Sequence, residues 1–152
     1  MKIAYMALLA LSFAAPAMAG VNPEGDKIVH AYVLTLPKVK AYDAAVQAAY
    51  AAEQQDPALK AEAQAATQEP ADTVVQLRAK YDRHPRLYSF FKTKGLTRDD
   101  TMLLPFVRLA ACDAAQDPKP TADPSTSPEQ LAFCKANNAE LQGLRMFPTT
   151  MN

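Results

Sequence analysis

The chain has 152 residues, enough for one ordinary domain with its own core, and its 16 basic and 16 acidic side chains cancel. That balance gives no electrostatic reason to expect nucleic acid or an anionic membrane surface as a partner. Only four glycines accompany abundant alanine, which favours helix over sheet because Ala has the best helix propensity and Gly among the worst.

The chain opens with Met1-Lys2, an apolar run from Ile3 to Ala15, and Pro16-Ala17-Met18-Ala19. A short positive end, an apolar stretch of about a dozen residues and a small-x-small ending have the form of a secretory signal peptide. The run falls short of the ~20 residues needed to span a bilayer. Cleavage is expected between Ala19 and Gly20, and the absence of a following Cys argues against a lipoprotein anchor. The expectation is a signal peptide over residues 1–19 and one domain over 20–152. The mature product would be periplasmic or secreted, with no stable membrane insertion after cleavage.

Residues 20–27 hold two of the four glycines and read as a loose lead-in. Ile28 to Leu36 is rich in β-branched and aromatic residues; with no partner strand it reads as an extended segment packed on helices, with a first helical turn as the alternative. Thr35 is a suitable N-cap with Pro37 in the first turn, and Val39, Tyr42, Val46 and Tyr50 recur at helical spacing. Asp56-Pro57 starts an Ala-rich helix to about Ala66. Its few large apolar side chains predict an exposed helix, or one continuous with its predecessor after a kink. After a break at Pro70, Val74, Leu77 and Tyr81 mark another helix. Pro85 ends it and opens a short one with Leu87, Phe90 and Phe91, for which Gly95 is a left-handed stop.

Thr97-Arg98-Asp99-Asp100 is a capping-box start. The helix it opens is apolar nearly all round, through Met102, Leu103, Leu104, Phe106, Val107 and Leu109, and should be central and buried. Pro105 inside it removes a hydrogen bond to the Thr101 carbonyl and predicts a kink. Residues 117–126 read as a surface loop. Ser127-Pro128-Glu129-Gln130 caps a last helix running to about Leu144, and residues 145–152 form a loose tail. The sum is an all-α bundle of about five to six helices with a kinked central helix.

Cys112 and Cys134 are the only cysteines and lie 22 residues apart. In an exported chain the pair predicts a disulfide tying the central helix to the last one; the alternative is two buried free thiols. Met102, Leu109 and Cys112 share one helical face, and Leu131, Cys134 and Leu141 share another. No C-x-x-C or C-x-x-C-H occurs, which argues against a redox pair or covalent haem.

Other chemistry is sparse. His30 and His84 are the only histidines and have no nearby cysteine; Asp82-x-His84 is a weak pair short of the three or four ligands a zinc site needs, so no metal site is expected. The usual nucleophile, zinc-protease, phosphate-loop and dinucleotide motifs are absent. Asp99 and Asp100 suit a helix N-terminus, where the macrodipole favours acids. The mixed stretch Lys80 to Tyr88 reads as two helix ends with aromatics inward and Arg outward; the alternative is an anion or polysaccharide patch. No catalytic residue and no cofactor is assigned.

His84-Pro85, Lys94-Gly95-Leu96-Thr97-x-Asp99, the following apolar helix and Phe133-x-x-x-Asn137-x-x-Glu140-Leu141 together resemble small exported α-helical proteins of Gram-negative bacteria, a group with no assigned function. The similar region covers roughly residues 74–144, with a weaker likeness from Leu34-Thr35. Pro105 and the cysteine pair depart from the pattern and suggest a locally bent, cross-linked variant. The resemblance implies an exported helical domain and brings no catalytic residues with it.

The expected function is therefore binding rather than catalysis, with an envelope protein or an apolar small molecule held between helices as partner. The competing reading is an envelope enzyme or redox protein whose site gathers scattered residues such as Asp82, His84 and Cys112.

Overall fold

A helix that is apolar nearly all round cannot lie on a surface, and the fold is arranged around one. The computed structural model describes residues 23–116 and 125–144, and every regular element among them is a helix. In chain order these are α1 (Pro23–Ala31), α2 (Leu36–Glu53), α3 (Pro57–Gln68), α4 (Val74–Arg83), α5 (Pro85–Thr93), α6 (Arg98–Gln116), α7 (Pro128–Ala136) and α8 (Asn138–Gly143). The expected signal segment, the Ala19–Gly20 cleavage position, most of the 117–126 loop and the tail from 145 lie outside the described residues.

Helix α6 is the axis. Thr101 through Pro105, Val107 and Ala111 are buried, with Leu104 fully so. It packs against α7, α4, α2 and α5. Leu109 is the exception on its apolar surface, 39 % exposed, so it does not share the buried face of Met102. The helix is continuous through Pro105.

Its first turn carries a capping box: the Asp100 amide donates to Thr97 Oγ1 at 3.0 Å and the Thr97 amide donates to Asp100 Oδ2 at 3.0 Å. Asp100 does more than cap. Its Oδ1 accepts from the Tyr32 hydroxyl at 2.8 Å and pairs with Lys38 Nζ at 2.8 Å, which joins α6 to the α1–α2 connection and to α2. Burial alone would raise this carboxyl, but the donors from Lys38, Thr97 and Tyr32 together hold it down at about 2.

The remaining helix limits follow from local chemistry. Asp56 Oδ1 accepts the amides of Ala58 and Leu59 at the start of α3, and Thr73 and Gln76 form a reciprocal box on α4. Gly95 takes φ 79°, and the Leu96 amide returns to the Phe91 carbonyl while Gly95 returns to Lys92. This is a Schellman stop, which glycine occupies without the strain a Cβ brings.

Four expectations are corrected. Residues 23–27, read as part of a loose lead-in, and Ile28 to Ala31, read as extended, form α1 instead. Pro23 at its first position, Glu24 and Asp26 in its first turn and His30 in its last suit a helix. Helix α3 is neither exposed nor continuous with α2: Leu59, Ala63 and Ala66 are buried against α5 and α2, small side chains allowing close approach. The single last helix is two, broken at Asn137, whose Nδ2 turns back to the Phe133 carbonyl at 2.8 Å. The described helices therefore number eight, not five to six.

Cys112 on α6 and Cys134 on α7 stand at disulfide distance, with sulfurs 2.09 Å apart. A second tie crosses the chain. Gln130, 2 % exposed, accepts the Ser127 amide through Oε1 and donates through Nε2 to the carbonyls of Val29 at 2.8 Å and Tyr32 at 2.9 Å. One amide thus closes the α7 capping box and ties α7 to the Val29 carbonyl near the end of α1 and to the Tyr32 carbonyl just beyond it.

Two stability predictions follow. Glu is as good as Gln for a capping box, yet Gln130→Glu replaces the buried donor with an acceptor facing two carbonyls. The expected loss is about 2 kcal/mol or more in urea unfolding at neutral pH; an unchanged midpoint would reduce Gln130 to a cap. Reduction, or Cys112→Ser with Cys134→Ser, should lower unfolding free energy by roughly 3 kcal/mol on the chain-entropy account of a 22-residue separation, read by the same titration.

Candidate functional site

The helices around α6 do not close completely. A cavity of about 50 Å³ lies between α2, α3, α4, α5 and α6. Its wall is mostly aliphatic and aromatic, including Tyr42, Leu77, Tyr88, Phe91, Met102 and Phe106. The rings hold one another in place: Tyr42 and Phe91 centroids are 5.0 Å apart, and Tyr88 sits 6.0 Å from Phe91 and stacks on Tyr81 at 5.0 Å. Tyr42 and Tyr88 are buried, which pushes both hydroxyls above the ordinary phenol range. They are neutral at any physiological pH. Tyr50 and Phe106 are half-buried and mark where the cavity meets the surface. Pro105 forms part of the same wall.

One acid interrupts this lining. Glu53, in the last turn of α2, is 5 % exposed and has no hydrogen-bond or ion-pair partner among the described residues. Burial raises its carboxyl to about 7, with Lys60 on α3 pulling the other way. The group is therefore poised between acid and carboxylate near neutral pH, able to donate in one form and to accept in both.

Lys80 also lines the cavity and is buried, which lowers its ammonium from the usual range. Its Nζ is turned away, donating to the Glu69 carbonyl oxygen at 3.2 Å. Around that carbonyl lies a separate polar latch between the end of α3 and the end of α4. The Glu69 carboxylate pairs with Arg83 and accepts from His84 Nε2 at 2.9 Å. Burial lowers the His84 pKa, so the ring is neutral at physiological pH, and facing a carboxylate fixes its proton on Nε2.

The residues singled out in the sequence fall elsewhere. Asp82 is on the surface with Arg98 at 3.1 Å. His84 caps neither helix through its side chain and joins Glu69 instead of extending the Tyr81 stripe. Cys112 is bonded to Cys134. Each has a different partner, and none of the three lines the cavity. Asp99 pairs with Arg78 at 2.7 Å. In the Lys80–Tyr88 stretch, Tyr88 is inward, and Arg83 and Arg86 are outward in ion pairs with Glu69 and Asp56. No group of three or more His, Cys, Asp or Glu side chains among the described residues could hold a metal ion, and no helix among them is long and apolar enough to cross a membrane.

Sequence reasoning passed over Glu53, although a signal was there. Val39, Tyr42, Val46 and Ala49 are buried on one stripe of α2, and Glu53 is the next position on it. Acids are rarely buried unless paired, so one on the apolar stripe of a helix is a residue to single out.

Compared with known proteins, the chain matches no family model, no curated protein and no solved structure.

The raised Glu53 carboxyl makes stability depend on pH with a definite sign. Between about 4.5 and 7 the folded protein holds this proton and the unfolded chain releases it, so stability should fall as pH rises through that window. Glu53→Gln removes this dependence. Relative to the parent, it should gain about 1–3 kcal/mol between pH 5 and pH 8 in urea unfolding. Lowered His84 acts in the opposite direction in both proteins, so the difference between them isolates Glu53. A parent–variant difference that stays constant with pH would contradict the assignment.

Proposed function

We propose that this chain is an exported binding protein of the cell envelope, and that its helical bundle holds a small, largely apolar molecule in the cavity beside α6. The observation that carries this reading is an apolar, aromatic-walled cavity whose lining includes the carboxyl of Glu53, which has no hydrogen-bond or ion-pair partner among the described residues. A core selected only for stability would close such a space or fill it with hydrocarbon, since a void forfeits contacts and a lone buried acid is costly.

The other elements of the proposal agree with it. A signal peptide over residues 1–19 routes the chain to the periplasm or the medium, where Cys112–Cys134 persists as a staple. Pro105 cannot donate to the Thr101 carbonyl, and a bend there widens the space between α6 and the helices facing it. An envelope enzyme using Asp82, His84 and Cys112 has no comparable support, because the three side chains are engaged with separate partners.

Fractionation of cells carrying the full chain, with N-terminal sequencing, should recover a product beginning at Gly20 outside the cytoplasm. A thermal-shift screen of small apolar compounds on that product should raise its Tm, and Ala49→Leu, which fills the cavity, should abolish the response. A cytoplasmic, uncleaved product would overturn the export reading. Ligand shifts unaltered in the filled variant, or none at all, would overturn the cavity reading.

A further inference from the structure

The cavity's polar feature is specific enough to define what kind of molecule it takes. A carboxylate is purely an acceptor, and Glu53 has both oxygens available with no protein donor to fill them. The nearest candidate within the lining, the Lys80 ammonium, is held on the Glu69 carbonyl oxygen instead. A second acid entering beside Glu53 would force one of the two to stay protonated. A neutral alcohol would satisfy one lone pair and leave the charge uncompensated. A protonated amine satisfies both requirements, with charge and with more than one N–H donor.

The walls point the same way. Tyr50, Tyr88 and Phe106 line the cavity with Glu53, and aromatic faces attract cations through their quadrupoles, more strongly where water is excluded. Size restricts the apolar part. About 50 Å³ is a third of the roughly 150 Å³ that admits benzene in an engineered apolar core, so the cavity encloses only the ammonium end and first carbons of a ligand, and the rest of an unbranched chain lies out at the Tyr50 and Phe106 entrance.

We propose that the cavity is a site for a small organic ammonium ion, with an unbranched alkyl chain against the aromatic wall and its amine on the Glu53 carboxylate. The proposal rests on the reading of the bundle as a small-molecule binder and narrows it to one ligand class. Glu53 is the recognition group, and Tyr50 and Phe106, at the surface side, form the entrance. Binding then consumes the carboxylate form and releases a proton wherever Glu53 is protonated in the free protein. The titratable groups on the surrounding elements are Tyr42 and Tyr50 on α2, Lys60 on α3, Lys80 on α4 and Tyr88 on α5; the α6 part of the lining, Thr101, Met102, Pro105 and Phe106, has none.

The test uses n-pentylamine, 1-pentanol and pentanoate as probes of equal length, titrated into the mature protein and followed by amide NMR shifts. At pH 8 the amine should bind at least about tenfold more tightly than the alcohol, and pentanoate more weakly than either. The amine stays protonated throughout, so its advantage should shrink several-fold at pH 5.5, where Glu53 holds its proton. Glu53→Gln should bring amine and alcohol together at both pH values. If that variant fails to fold, the pH comparison on the parent protein decides. Amine and alcohol binding equally at pH 8, or pentanoate binding best, would overturn the ammonium assignment while leaving a small-molecule site standing. Saturable shifts from none of the three would overturn the assignment and the binder reading together.

Discussion

The enclosure of α6 is the constraint on which the rest of this protein depends. Its buried surface runs right around the helix, so α2, α4, α5 and α7 must approach it from different sides. Their own apolar stripes are short, and each is completed only by facing α6 or a neighbour that does. The polar ties concentrate where that arrangement would otherwise come apart. Asp100 anchors the first turn of α6 to Tyr32 and Lys38, and Cys112 joins its later turns to α7. Gln130 then carries the connection from α7 back to the end of α1. The two termini of the described domain are thereby fastened to the same axis by groups that a simple apolar collapse would not supply.

Four helices packed beside the α6 axis leave a gap where large rings meet small side chains. Tyr42, Tyr88 and Phe91 brace each other and cannot move inward without losing their mutual contacts, while Ala49 and Ala63 across the cavity are too short to reach them. Glu53 sits at that gap. Placing it there has a cost in the free protein, visible as a carboxyl driven up by burial, and a ligand that supplies its missing donor recovers that cost on binding. Tuned acids of this kind concentrate at functional sites because the same burial that destabilises the charge sharpens its preference for a partner.

Local order was easier to read from the residues than tertiary order. The caps at Thr35, Asp56, Thr97 and Ser127, the prolines at 37, 57, 85 and 128 and the stop at Gly95 lie where the structure places helix limits, because capping is settled within four or five residues. Helix α1 was missed because its β-branched and aromatic residues favour extended backbone, and what holds its end is Gln130, about a hundred residues away. The burial of α3 was missed because alanines carry little apolar signal; they are buried by close approach to α5 and α2, not by their own size. His84 went to Glu69 and Asp82 to Arg98, pairings across elements that no spacing rule contains.

What the residues determined by themselves was the all-helical class, the starts of α2, α3, α5, α6 and α7, the central place of the helix from Arg98 and the pairing of Cys112 with Cys134. These depend on propensity, capping and periodicity, which act over a few residues, and on there being only one way to pair two thiols. What only the tertiary structure decided was the cavity and the role of Glu53. An acid on an apolar stripe can be paired, exposed by a turn of the helix, or left facing a void. Which of these holds depends on how α2, α3, α4 and α5 pack beside α6, a long-range result of packing that none of their sequences carries alone.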